Sequence, residues 1–476
     1  MTNIVIYDLE TDSSKTDFLS ILEFGAILLN DTFQELDRIN LRARIPEGII
    51  PQASALLVNK ISVRMLTQSN LSHYQLLGEI EKTFKKWSPA IFMGYSNVNF
   101  DCEAIRKEFF KGLRYPYITN AAPNKRQDGL NIVRAAYAVD KKIFKTEVNE
   151  KGNAVMKLES LARNNGIETK GAHSALFDAN LTKLLLEKIF KTQNVTWKSA
   201  LMTASRQDTE NLLKKEKIFT LNEYFYGKSR LYLCCPLHPD FSVHPIYNWG
   251  IVYDLRNDLM PLLNLSISEL KKEMKKSPKF LRTVRTNKAP VILHSDYGLK
   301  VEPYNKIKLS QLKERAELVN KNKQFAERIS TALREEAEEK KTTSSQEDIT
   351  PEESIYVKFT SAKDNALMPK WHEASWKDKF ILLNKFDDER LVNFGKKIIY
   401  QNSDALPESE QKKVKRSIAE RILSENKEKW WTVKEFYNEC DYYRSKFEDQ
   451  NDQEKLKFLD ELNTYVEGIE KKYQNA

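Results

Sequence analysis

Five side chains suited to metal or proton chemistry fall in three separated stretches of the chain. Asp8 and Glu10 end the apolar run NIVIYDLETD (3–12), Asp101 lies in YSNVNFDCE (95–103), and His173 and Asp178 lie in AHSALFDAN (172–180). A strand alternates its faces, so Ile4, Ile6, Asp8 and Glu10 share one side while Val5, Tyr7 and Leu9 share the other. The two carboxylates are then roughly 6–7 Å apart at Cα and repel one another unless a cation or donor sits between them. A strand running out into solvent would also carry Asp-x-Glu, so the pair needs partners from elsewhere. Five steps along a helix turn a side chain by roughly 140°, so His173 and Asp178 cannot share one helical face. If both serve one centre, His173 precedes the helix and Asp178 lies on it, with Gly171 compatible with that turn.

The elements that must position these residues are legible around them. ILEFGAILLN (21–30) and ELDRINLRARI (35–45) flank a short polar turn and join the opening strand in an antiparallel start. Apolar spacing predicts a helix over YQLLGEIEKTFKKW (74–87), a short buried strand over AIFMGYSN (90–97) and a helix over VNFDCEAIRKEFFKGL (98–113), with Asp101 in its first turn. GLNIVRAAYAV, LESLARNNG closed by Gly166, and HSALFDANLTKLLLEKIF complete an α/β domain of mixed sheet order over residues 1–195.

Beyond it, residues 196–345 mix short β-rich pieces (RLYLCC, GIVYDL, APVILHS) with helices, which predicts a small barrel with helical insertions. KKTTSSQEDITPEE (340–353) lacks apolar periodicity and reads as a linker. Residues 354–476 are charged, helically spaced and nearly free of glycine, an all-helical domain. The adjacent Trp430 and Trp431 are placed in a helical segment, as core residues rather than a stacking platform.

With 476 residues, two to four domains are expected. Lysine plus arginine (76) exceed aspartate plus glutamate (67) by 9, which permits a polyanionic partner without requiring one. Four cysteines, Cys102, Cys234, Cys235 and Cys440, have no metal-ligand spacing and fit a reducing compartment. No apolar run reaches the roughly 18 residues of a membrane span, and the first residues lead directly into a strand. The simplest reading is a cytoplasmic protein with no membrane partner.

Taken together, DLET, NVNFD and HSALFD resemble, in order, the three motifs of the DEDD exonuclease superfamily in its histidine-bearing DEDDh branch. The resemblance implies that Asp8, Glu10, Asp101 and Asp178 are metal ligands and that His173 is the general base. The chemistry suits those residue types. Two divalent cations on hard oxygen ligands, Mg2+ with Mn2+ as a substitute, activate water for phosphodiester hydrolysis, and a neutral histidine takes its proton. The runs MKLESLARNNGIETKGAHSALFDA, YSNVNFDCEAIRKEFF, CPLHP, VYDLRNDLMPLLNLSISEL and VRTNKAPVIL extend the resemblance to bacterial exonuclease I along nearly the whole chain. That family implies a ribonuclease-H-like nuclease domain, a Src-homology-3-like β-barrel domain and a helical C-terminal domain. It also implies 3′ to 5′ digestion of single-stranded DNA to 5′ mononucleotides in repair and recombination, by a monomer aided by the single-stranded-DNA-binding protein.

By the same resemblance Arg106, Tyr117, Arg134, Lys157 and Arg206 are DNA contacts, Asn287 and Lys288 face the same channel, and Glu10 also meets the substrate. Three positions depart from the family. Val58-Asn59-Lys60-Ile61 replaces an Ile-Thr-Gly-Ile, Lys157 stands in place of arginine, and Asp140 follows AAYAV where a basic residue would help dock an acidic partner tail. Two rivals stay open: an RNA-trimming or proofreading DEDDh enzyme, and a single-strand-binding scaffold that does not cut.

Overall fold

The computed structural model describes residues 2–343 and 349–475, with side chains at 341–343 outside that description. The first domain is built on a five-stranded sheet: β1 (Asn3–Thr11), β2 (Ile21–Leu29), β3 (Glu35–Arg42), β4 (Ala90–Met93) and β5 (Lys125–Arg126). Its order is β3-β2-β1-β4-β5, antiparallel from β3 to β1 and parallel from β1 to β5. This is the mixed sheet expected from the sequence. The alternation in β1 holds as well: Ile4 and Ile6 enter one core with Ile27 and Leu186, while Val5, Tyr7 and Leu9 enter another with Phe24 and Phe84. A central strand covered on both faces can send carboxylates to one place only at its end.

Seven helices complete this domain: α1 (Ala53–Asn59), α2 (Val63–Gln68), α3 (His73–Trp87), α4 (Asp101–Lys111), α5 (Gly129–Val139), α6 (Leu158–Asn164) and α7 (Ala175–Thr192). α3 begins with a capping box in which Ser72 and Gln75 satisfy each other's backbone amides. The strand expected over 90–97 stops at Met93, and its helix starts at Asp101 rather than at 98. The intervening residues turn, with Ser96 at a φ of 63° and the Cys102 amide donating to the Asn97 carbonyl.

After α8 (Asn194–Leu201) and α9 (Arg206–Lys215) come β6 (Phe219–Phe225), β7 (Lys228–Pro236), β8 (Gly250–Asp254), β9 (Leu281–Val284) and β10 (Val291–His294). They form an antiparallel sheet in the order β10-β6-β7-β8-β9, and among the described residues no ladder joins β9 back to β10. α10 (Ile267–Lys275), α11 (Ser295–Gly298), α12 (Leu309–Lys321) and α13 (Lys323–Thr343) are the helical insertions. The expected linker at 340–353 is helical in its first residues, lies outside the described residues at 344–348, and ends in a short helical turn at Glu353–Tyr356.

The C-terminal part is helical, as expected: α14 (Ala362–Glu373), α15 (Trp376–Leu383), α16 (Glu389–Asn402), α17 (Glu408–Ile422), α18 (Val433–Asp449) and α19 (Gln453–Tyr473). It shares a core with the nuclease domain, where Ile45, Ile50, Leu56 and Leu66 pack with Phe394, Ile418, Phe436 and Leu459. Trp430 and Trp431 are not helical; they lie in the loop between α17 and α18. Trp430 meets Phe18 edge to face at 5.9 Å, and Lys15 lies 5.0 Å over Trp431, so the pair joins two domains.

Candidate active site

Three segments converge at the end of β1. β1 itself carries Asp8 and Glu10, α4 opens on Asp101, and α7 brings Asp178 in its first turn. A carboxylate there is favoured by the helix's unpaired amides. α7 reaches the sheet because β2 has glycine at the position paired with Asp8: a Cβ on Gly25 would lie 2.0 Å from the Leu176 nitrogen. Gly94 plays the same part beneath β4, where a Cβ would lie 2.4 Å from the Tyr7 carbonyl oxygen.

Carboxylate oxygens of Asp8, Glu10 and Asp178 lie within 4.8 Å of one another. Asp101 is buried beside them and is, after burial, the largest cause of the upward shift at Asp8. Burial followed by Asp101, Glu10, Asp178 and Glu23 holds the Asp8 carboxyl well above the usual range. Burial, then Asp178, Glu23 and Asp101, push Glu10 to about 8. Burial and Asp128 push Asp101 to about 7, and burial pushes Asp178 to about 6 against the opposing His173 amide. So many repelling carboxylates with only oxygen donors between them suit a hard divalent cation, which would replace the protons.

His173 precedes α7, as the spacing required, two residues before its first residue and with a φ of 71°. Its backbone amide donates to Asp178 Oδ2 at 3.2 Å, while its ring faces Glu159 Oε2 across 3.7 Å. The imidazole therefore stands at the rim of the cluster. It lines a cleft with Leu57, Val58, Lys60, Glu159 and Lys170. Lys60 ends α1 in the left-handed conformation, φ 58°, that glycine takes at no cost, so the backbone turn is kept and the added side chain becomes cleft wall.

The expected DNA contacts are dispersed. Arg106 is buried, paired to Glu103 at 2.9 Å, bonded by its guanidinium to Tyr356 at 2.7 Å, and lies 5.2 Å over the Tyr117 ring. Lys288 lies close enough to Arg106 and Arg126 for both, after burial, to lower its pKa. The Asn287 carbonyl accepts from Arg126 at 2.9 Å, and the Lys288 and Ala289 carbonyls accept from Asn131, which fixes the β9–β10 turn to the nuclease domain. Arg134 lies 3.6 Å over Tyr224. Lys157 is exposed just before α6, and Arg206 stands apart, exposed and paired with Glu210 at 2.6 Å. Asp140 caps its own turn through the Lys142 amide at 2.9 Å.

Several site residues carried no signal strong enough to be singled out. Glu23 is 1% exposed, pairs in register with Glu10, accepts from Arg42 at 2.8 Å, and accepts from Ser174 Oγ, the residue before α7, at 2.9 Å. Its only trace is one carboxylate in an otherwise apolar nine-residue strand. Asp128 caps α5 and accepts from the Val98 amide at 3.1 Å, tying down the turn before Asp101. Glu159 and Arg126 likewise become visible only in three dimensions.

The family model for Exonuclease matches residues 5–186, the segment that holds the mixed sheet and the acidic cluster. A second model, the Exonuclease I C-terminal domain, matches residues 349–469. Exodeoxyribonuclease I of Buchnera aphidicola subsp. Schizaphis graminum is 27% identical over 282 residues, 56% of this chain and 58% of the relative, so that match spans little more than half the relative's length. Exodeoxyribonuclease I of Escherichia coli K12 is 24% identical over 390 residues, 77% of this chain and 78% of that one. The crystal structure of E. coli exonuclease I with a dA16 oligonucleotide superposes with a TM-score of 0.82 at 20% identity, covering 98% of this chain and 100% of that one. Both matched models and these relatives make the chain similar to bacterial exonuclease I along most of its length.

Proposed function

We propose that this chain is a single-stranded-DNA-specific exodeoxyribonuclease that releases 5′ mononucleotides from the 3′ end. The observation that carries this is the convergence of Asp8, Glu10 and Asp178 within 4.8 Å, with Asp101 buried alongside. In this reading Asp8, Glu10, Asp101 and Asp178 hold two Mg2+ ions, with Mn2+ as a substitute. Bound there, the cations supply a lowered water pKa and charge neutralisation at the scissile phosphate.

The chain's own residues do the rest. His173 takes the proton of the attacking water once its ring turns from Glu159 toward the cluster. Lys157, Arg134 and Lys288 meet phosphates, and Tyr117, stacked on Arg106, offers a face to a base. Glu10, at the end of β1, also touches the terminal nucleotide. Arg206, already paired with Glu210, contributes only at the margin.

His173→Asn removes the imidazole while asparagine tolerates the left-handed backbone. Single-turnover cleavage should fall roughly 10²–10⁴-fold with the melting temperature unchanged. An unaltered rate would move the base elsewhere.

The reading keeps the partition 1–195, 196–345 and 354–476, a monomer, a cytoplasmic location and a role in repair and recombination. Among the described residues no helix is long and apolar enough to cross a membrane, and all four cysteines are buried and free. One structure similar to this chain is an ExoI/SSB-Ct complex, which supports the single-stranded-DNA-binding protein as a partner here too. The deciding experiment digests oligonucleotides labelled at either end, as DNA and as RNA, with magnesium or with chelator. Metal-dependent mononucleotides from the 3′ end of DNA support the reading. Preference for RNA, or tight binding without cleavage in magnesium or manganese, overturns it.

A further inference from the structure

The hairpin joining β6 to β7 ends in a two-residue loop, Tyr226-Gly227, with φ values of 49° and 74°. Two positive φ values are what the favoured two-residue hairpin turn needs, and asparagine, aspartate or glycine normally supplies the first. A tyrosine there is strained, and bulky residues persist at such positions when something else over-determines them. Tyr226 is also 89% exposed, the most open large apolar side chain among the described residues.

The ring is the last step of a ladder. Arg282 lies 3.1 Å over Tyr232, Tyr232 stacks on Phe225 at 6.3 Å, Arg230 lies 4.3 Å over Phe225, and Phe225 meets Tyr226 at 5.6 Å. Each inner ring has a neighbour on its faces; Tyr226 presents an open one. The neighbouring Tyr224 carries Arg134, whose charge also reaches buried Asp128 beside the acidic cluster. On the nuclease side, Asn153 Nδ2 donates to the Tyr226 carbonyl at 3.4 Å. Lys157, four residues on, is within roughly 14 Å of Asn153 along the chain, and α6 then carries Glu159 to His173.

We infer that Tyr226 is a stacking platform for a base of single-stranded DNA on its way to the cleavage site. Aromatic rings interleaved with arginines are the chemistry that holds single strands without reading sequence. The inference rests on the function proposed above for its partner. Its test is made in chelator, where binding is read without cleavage.

Tyr226→Asn removes the ring and suits the turn, so its melting temperature should equal or exceed that of the unaltered protein. Affinity for a 16-residue oligonucleotide should fall roughly 10-fold. The dependence of affinity on salt should keep its slope, because no phosphate contact is lost. Tyr226→Trp should restore affinity. With 2-aminopurine placed at successive positions, one position should be quenched by the unaltered protein and Tyr226→Trp but not by Tyr226→Asn. Unchanged affinity and quenching would overturn the inference, as would a change confined to self-association. Binding without digestion by the unaltered enzyme in magnesium would instead defeat the nuclease reading and leave the platform standing.

Discussion

Asp8→Asn should reduce magnesium-dependent mononucleotide release by roughly 10³-fold while leaving strand binding largely intact. The carboxylate lies within the cluster, and in the proposed reading losing it removes one ligand from cations whose charge stabilisation amounts to several kcal/mol. The same substitution should raise stability in chelator, and the sign follows from the protons. Asp8, Glu10, Asp101 and Asp178 all have folded pKa values above the ordinary carboxylate range, about 8 for Glu10, 7 for Asp101 and 6 for Asp178. Between about pH 4 and pH 8 the folded protein therefore holds more protons than the unfolded chain, and stability falls as pH rises. Below about pH 4 both states are protonated and the penalty vanishes. The melting temperatures of Asp8→Asn and the unaltered protein should thus agree near pH 4 and diverge toward pH 8, with the variant higher. Magnesium should close that gap from the other side by stabilising the unaltered protein most at high pH. A variant that melts far lower at every pH would show Asp8 to be structural.

Gly25→Ala should do nearly as much damage without touching an ionisable group. The new methyl would lie 2.0 Å from the Leu176 nitrogen and 2.3 Å from the Ala175 carbonyl carbon, both backbone, so no rotamer change relieves it. α7 must lift from β2, and overpacking of this kind costs about 1–3 kcal/mol or more. Asp178 and the His173 amide ride on that helix start, and a displacement near 1 Å in a reacting geometry costs roughly 10²-fold in rate. The expected result is a melting temperature several degrees lower and a rate roughly 10²-fold lower. Gly468→Ala is the control: it lies within α19 with nothing within 4 Å of the added Cβ, and should be neutral or slightly stabilising. Equal behaviour of the two variants would remove the close approach from the account of the site.

The local parts of this site were legible in the sequence because each is written in a period. Alternation put Asp8 and Glu10 on one face of β1, and the 3.6-residue repeat forced His173 off the helix that holds Asp178; both hold. The mixed character of the sheet followed from the antiparallel start and the helix after β4, whereas its strand order is read from the structure. Glu23 was not legible, because its importance comes from Arg42 and Ser174, 19 and 151 residues away, and no spacing rule reaches that far. The direction of the His173 ring toward Glu159 is likewise a tertiary fact. The two tryptophans misled in the opposite way. Helical composition surrounds them, but Trp430 donates its indole N–H to the Arg421 carbonyl at 2.9 Å and Lys15 reaches the Trp430 carbonyl from the nuclease domain, so tertiary contacts override local propensity.

The shared core of the nuclease domain and the C-terminal helices bears on how the enzyme is made. Ser54, at the start of α1, takes both oxygens of Glu439, and the other end of α1 supplies Asn59, which donates to the Thr11 carbonyl beside Glu10. A chain emerging from the ribosome at roughly 5–20 residues per second leaves that helix without its cover until α18 and α19 arrive, roughly 20–80 s later. Until then Ile45, Ile50, Leu56 and Leu66 have no apolar partners from the far domain, and the wall bearing Lys60 is unsupported. A nascent or prematurely terminated chain would therefore own the whole acidic cluster and yet leave an apolar face of its first domain uncovered.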